Sequence, residues 1–124
     1  MASRILIVED NAEIREILQI TLEFNAYEVV AAANGREALE AVETRGPFDL
    51  ILCDLDMPVM NGMEFMRRYR AERGAATPIL SLTAEIGPVI DEALASGANG
   101  TIHKPFEPIP LLEEIRSRLG QASA

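Results

Sequence analysis

The sequence predicts an α/β fold, a doubly wound five-stranded parallel sheet, and three observations predict it. Short aliphatic runs alternate with longer segments whose apolar residues recur at three and four, the pattern of strands and amphipathic helices in turn. The alternation completes five rounds within 124 residues with no linker rich in Gly, Pro or Ser to divide them. Four of the five runs end in a polar residue, and an open parallel sheet places its site outside the carboxyl ends of its strands.

The first run, Ile5-Leu6-Ile7-Val8, is wholly aliphatic, as a strand covered on both faces must be, and stops at Glu9-Asp10. Asn11 is placed to cap a helix with Ile14, Ile17, Leu18, Thr21 and Leu22 on one stripe and Glu13, Arg15, Glu16 and Gln19 toward water. Tyr27 to Ala32 forms the second strand. Asn34-Gly35 leads into a short helix carrying Ala38, Leu39 and Val42, which Gly46-Pro47 ends. The third strand, Leu50 to Cys53, runs into Asp54, and a loop from Leu55 to Asn61 precedes a helix from Gly62 to about Arg70. Ile79 to Leu82 is the fourth strand and ends at Thr83. Pro88 sits where the first turn of a helix tolerates proline. Gly100 to His103 is the fifth strand, followed by Lys104-Pro105 and a last helix with Leu111, Leu112, Ile115 and Leu119. Residues 120–124 read as a frayed tail. The reading is of one domain, 1–124 with a core of about 4–119, and no output domain.

Charge and composition exclude several function classes. Twenty acids against eleven bases give a net charge of −9, which opposes direct binding to nucleic acid or to an anionic membrane surface. The longest uninterrupted apolar stretch, Val29 to Ala33, is far below the roughly 18 residues of a membrane span. With no secretory signal and a single cysteine, Cys53, a cytoplasmic location is expected. Cys53 itself reads as a small packing residue of a buried strand rather than a redox sensor. Met63 and Met66, at helical spacing, read as core.

The strand ends gather Glu9, Asp10, Asp54, Thr83 and Lys104. Three carboxylates on one sheet edge repel by roughly 4 kcal/mol per pair at 4 Å near a protein surface unless a cation sits among them. Oxygen ligands of this kind suit Mg²⁺ or Mn²⁺, and magnesium keeps open positions for phosphate oxygens. An aspartate can carry a phosphoryl group as an acyl phosphate. An ammonium and a hydroxyl nearby can stabilise its oxygens. Lys104 is the only lysine beside ten arginines, and a compact, steerable ammonium fits that use.

Those residues in that order, Ile5-Leu6-Ile7-Val8-Glu9-Asp10-Asn11, then Asp54-Leu55-Asp56-Met57-Pro58 with Met60 and Gly62, then Ser81-Leu82-Thr83-Ala84, then Lys104-Pro105-Phe106, resemble the receiver domain of two-component response regulators. The match runs from about Arg4 to Leu119. The resemblance implies the flavodoxin-like strand order 2-1-3-4-5. It implies that Asp54 accepts a phosphoryl group from a sensor histidine kinase or a histidine phosphotransfer protein. It also implies that Asp10 and Asp54 hold Mg²⁺ with the Asp56 backbone carbonyl, Glu9 acting through water. Thr83 resembles the switch hydroxyl, Lys104 the lysine paired with the phosphoryl group, and Lys104-Pro105 a cis peptide. The output expected is a downstream protein target bound through the surface of the fourth helix, fifth strand and fifth helix, since no DNA-binding segment follows Leu119.

Two departures stand out. Three residues before the lysine most receivers carry an aromatic, where this chain has Thr101; strand alternation puts His103 on the same face, in a place to substitute for the ring. The positions two past Asp54 and two past Thr83, which tune phosphoryl lifetime in the family, are Asp56 and Glu85. Two other readings compete. Asp54-Leu55-Asp56 resembles the aspartate pair of haloacid-dehalogenase-type phosphatases, although that pair usually follows a first strand, and a receiver-like interaction module would not be phosphorylated at all. The switch reading makes the chain no turnover enzyme.

Overall fold

The computed structural model describes residues 2–57 and 59–120. Within them five strands alternate with five helices: β1 (Arg4–Val8), α1 (Ala12–Phe24), β2 (Glu28–Ala32), α2 (Gly35–Arg45), β3 (Leu50–Asp54), α3 (Gly62–Arg73), β4 (Ile79–Thr83), α4 (Pro88–Ser96), β5 (Gly100–His103) and α5 (Pro108–Arg118). All strand pairs are parallel, and the order is β2-β1-β3-β4-β5, as the resemblance implied. Pro58 of the loop motif and residues 121–124 of the expected tail lie outside the described residues.

The period of two along each strand explains why the central runs are apolar at nearly every position. Leu6, Val8, Ile51, Cys53 and Ile79 face α2, α3 and α4, while Ile5, Ile7, Leu50, Leu52, Leu80 and Leu82 face α1 and α5. Each such buried aliphatic side chain contributes about 2 kcal/mol relative to exposure. Both cores are continuous across the sheet, so the strand ends are held rigidly side by side. Cys53 is buried and free, Met66 is fully buried and Met63 packs against the same core, all three as packing residues.

Three helices that begin at the carboxyl edge share one device. Asn11, Asn34 and Asn61 each accept, through the side-chain oxygen, the backbone N–H three residues on, at 2.9–3.0 Å. These caps fix where the loops carrying the acids turn into helix.

The boundaries differ from expectation by small amounts. Strand β2 begins at Glu28, after the buried Tyr27, and α3 runs to Arg73 before Gly74 ends it at φ +81°. One assignment on α1 is corrected. Ile17 is 56% exposed, because the sheet reaches only the Leu18 and Leu22 line of the helix, and Ile17 sits one residue round from it. Gln19 and Arg15, expected in water, are half-buried. Among the described residues no helix is long and apolar enough to cross a membrane.

Candidate functional site

The sheet delivers the expected residues to one edge. β1 ends into Glu9 and Asp10, Asp54 is the last residue of β3, Thr83 the last of β4, and Lys104 follows β5 directly. Carboxylate oxygens of Glu9, Asp10 and Asp54 lie within 4.8 Å of one another. Glu9 is fully buried and Asp54 is 5% exposed, whereas Asp10 faces solvent. The cluster therefore has an inner, desolvated half and an open half.

Lys104 bridges the inner half. Its Nζ donates to Glu9 Oε1 at 2.7 Å and to Asp54 Oδ1 at 3.1 Å. The second oxygen of Glu9 accepts the Asn11 N–H at 3.2 Å, so both its oxygens are engaged. The Lys104 backbone N–H donates to the Thr83 carbonyl at 2.7 Å, and the Lys104–Pro105 peptide is cis, as the resemblance implied; Gly46–Pro47 is cis as well.

The electrostatics follow from this packing. Burial first, then the neighbouring Glu9 charge, push the Asp54 carboxyl up to about 7, against the opposing pull of Lys104. Burial alone would lower Lys104, but its hydrogen bond to Glu9 and the charges of Asp54 and Glu9 hold it above its ordinary value. One ammonium thus stands against three acids. The surplus negative charge and the all-oxygen donor set fit a hard divalent cation at the open side, toward Asp10. Glu9, already bonded at both oxygens, suits an outer position around such an ion.

Of the remaining predicted residues, Thr83 is buried and uses its hydroxyl to accept the Glu85 N–H at 3.0 Å. Asp56 and Glu85 are exposed on the loops after β3 and β4, and His103 is exposed at the end of β5. Among the described residues no side-chain hydrogen bond joins Asp56, Glu85 or His103 to the acidic cluster. Thr101, not His103, makes the inward contact of β5: its hydroxyl lies 3.1 Å from that of the fully buried Ser81.

Sequence reasoning missed two residues at the site. Arg15 donates to the carbonyls of Glu9 (2.9 Å) and Asp10 (3.3 Å), holding the loop that carries both acids. A basic residue in the first turn after an N-cap was the available signal. Ile17 belongs to an apolar groove of about 380 Å³ beside the cluster, lined by Ile14, Ile17, Ala84, Lys104, Pro105 and Phe106.

A doubly wound α/β sheet whose carboxyl edge holds an acidic trio, a hydroxyl and a bridging lysine defines a class of phosphoryl-responsive signalling domains. The sequence model of the response regulator receiver domain matches residues 5–116, and the chain belongs to that family. It is 41% identical over 120 residues to the DNA-binding response regulator MtrA of Mycobacterium tuberculosis, covering 96% of this chain and 51% of that protein. The transcriptional regulatory protein DltR of Streptococcus agalactiae is 40% identical over 122 residues, 97% of this chain and 53% of DltR. The chain thus spans about half the length of the curated relatives it matches. Among solved structures, the chemotaxis response regulator CheY4 of Vibrio cholerae superposes with a TM-score of 0.89 at 40% identity, covering 95% of this chain and 99% of CheY4. The receiver domain of the sensor histidine kinase PA1611 of Pseudomonas aeruginosa, described with a magnesium ion coordinated in its active-site cleft, gives 0.89 at 32% identity, covering 98% and 100%. The chain is a receiver domain of two-component signalling. The phosphatase and unphosphorylated-module readings find no support: the aspartate pair follows β3 rather than a first strand.

Proposed function

We propose that Asp54 is the phosphoryl acceptor of this receiver and that the observation carrying the reading is the convergence of Glu9, Asp10 and Asp54 within 4.8 Å, bridged by Lys104. A carboxylate oxygen of Asp54 attacks the phosphorus of a phosphohistidine on a sensor kinase or phosphotransfer protein. The P–N bond breaks, the electron pair leaves with the imidazole, and an acyl phosphate remains on Asp54. Lys104 can exchange its Asp54 contact for a phosphoryl oxygen, and Thr83 can turn its hydroxyl from Glu85 N–H to another.

Asp10, Asp54 and the backbone carbonyl of Asp56 would hold Mg²⁺, or Mn²⁺, with Glu9 acting through water. Such an ion, when bound, supplies positive charge against the transferring oxygens. Asp56 and Glu85, exposed on the loops flanking the cleft, are placed to affect the approach of water to phosphorus and so the lifetime of the adduct. The protein takes up and loses one phosphoryl group per cycle and turns over no substrate. The apolar groove that shares Lys104 with the cluster lies where the donor protein must cover the cleft, and its lining suits an apolar helical surface. The output is a protein target bound at α4, β5 and α5. A net charge of −9 supports a protein there rather than nucleic acid bound by these residues directly.

Incubation with Mg²⁺ and acetyl phosphate tests the reading. Mass spectrometry is expected to find one added phosphoryl group, abolished by Asp54→Ala and by chelation. An adduct that persists in Asp54→Ala would move the acceptor elsewhere.

A further inference from the structure

Among the described residues, two that are not glycine hold a left-handed backbone, Ala26 and Val59, each at φ +69°. Ala26 has an ordinary reason. It follows α1, and the N–H groups of Ala26 and Tyr27 donate to the Glu23 and Leu22 carbonyls (3.0 and 3.1 Å), the kind of turn that closes a helix. Val59 closes no helix. It lies in the loop between β3 and α3, and its branched Cβ makes it an outlier in that backbone region. Its side chain is 67% exposed and, among the described residues, Val59 makes no hydrogen bond. Neither burial nor bonding at Val59 offsets the strain, so its neighbours impose it.

The loop is fixed at both ends. Leu55 donates its N–H to the Leu82 carbonyl (3.3 Å), and its carbonyl accepts the Gly62 N–H (3.1 Å). At the far side the Met60 carbonyl accepts the Gly35 N–H (3.1 Å), and a Cβ on Gly35 would fall 2.8 Å from Met60 Cγ, so α2 abuts the loop without slack. Gly35 is itself held by a reciprocal cap: Glu37 N–H donates to Asn34 Oδ1 (2.9 Å) and Ala33 N–H to Glu37 Oε1 (3.1 Å). Between these fixed points the main chain is loose. Among the described residues Asp56 and Met57 make no hydrogen bond, and only the Met57 side chain packs on the core. Strain at Val59 therefore relaxes in one direction, through Met57 and Asp56.

We infer that Val59 weakens the hold of the acidic cluster on its divalent cation, acting through the strained main chain on the Asp56 carbonyl. This rests on the reading of that carbonyl as an ion ligand beside Asp10 and Asp54. An ion that takes all three ties the loose half of the loop into the described, strained shape. Without the ion, part of the population relaxes Val59 to a negative φ and carries the Asp56 carbonyl away. Binding is weakened by the fraction of chains outside the competent shape. Val59 is thus a positioning residue that loosens the site from outside it.

Calorimetric titration with Mg²⁺ of the native full chain, Val59→Asn and Val59→Thr tests it. Asparagine tolerates the left-handed region, whereas threonine is branched like valine. Val59→Asn is expected to bind Mg²⁺ roughly three- to tenfold more tightly, and Val59→Thr to match the native chain. Thermal unfolding gives a second readout: the gain from Val59→Asn is expected to be larger in saturating Mg²⁺ than in chelator. An equal gain in both conditions with an unchanged Kd would leave the strain in the free chain and overturns the proposal. Tighter binding in Val59→Thr also overturns it, since the effect would then trace to the lost apolar side chain. Failure of the native chain to bind Mg²⁺, or an affinity unmoved by Asp10→Asn, overturns the ion site itself and the proposal with it.

Discussion

At the scale of single residues, Asp54 controls how the metal-free chain responds to pH. Its carboxyl is raised from an ordinary 3.8 to about 7, so between those values the folded chain holds a proton that the unfolded chain has released. Stability is expected to fall as pH rises from about 4 to about 7, and Asp54→Asn should remove that part of the slope. Denaturation midpoints of the two chains at several pH values, in chelator, check this; parallel curves would count against it. A bound divalent cation favours the charged carboxylate and should lower the titration. The Ser81–Thr101 pair gives a second prediction. Thr101→Val keeps the shape of the side chain but leaves the buried Ser81 hydroxyl only the Gly100 carbonyl at 3.4 Å. A loss of about 1 kcal/mol is expected by denaturant titration. The acids and Lys104 were legible in the sequence because each stands where an apolar run stops. The serine–threonine pair was not, since nothing in periodicity reports which residues of β4 and β5 face each other before register is known.

At the scale of elements, strands were easier to read than helix faces. Burial on both sides leaves a strand little freedom of composition, so β1, β3 and β4 are mostly aliphatic up to their carboxyl ends, with Arg4 at the start of β1 and the small Cys53 and Ser81 inside β3 and β4. A helix needs only one covered stripe, and α1 carries more apolar residues than its stripe can hide: Ile17, Ile20 and Phe24 are all exposed. The surplus at Ile17 has a use under the proposed function. Ile17→Ser is expected to slow transfer from a cognate phosphohistidine protein while leaving uptake from acetyl phosphate unchanged, since the small donor needs no apolar seat. Comparing the two rates checks it, and equal slowing with both donors would assign Ile17 to the chemistry instead. Arg70 shows the opposite limit of sequence reading. Its acceptors, the carbonyls of Gly74, Thr77 and Gly97 and the Asn99 Oδ1, come from two separate loops, and an arginine near a helix end reads as solvated until the fold brings them together.

For the whole molecule, charge and stability meet at one edge. A ligand that binds only the folded chain stabilises it by about 2.7 kcal/mol at a hundred times its Kd. Thermal unfolding is therefore expected to shift upward with Mg²⁺ in the native protein and to lose most of that shift in Asp10→Asn, read by calorimetry or circular dichroism. A comparable shift in Asp10→Asn would place the ion elsewhere.

Helix α3 approaches Asp54 closely. A Cβ on Gly62 would collide with the Asp54 carbonyl oxygen, and the Gly62 N–H donates to the Leu55 carbonyl at 3.1 Å. The first residue of α3 is thus pressed against the main chain that carries Asp54, while Arg67 and Arg70 further along it bond to Ser96 and Gly97 at the end of α4. Helix α3 is the chassis of the molecule, tied at one end to the last residue of β3 and at the other to the turn after α4. A side chain at Gly62 would have to displace the main chain at Asp54 and Leu55.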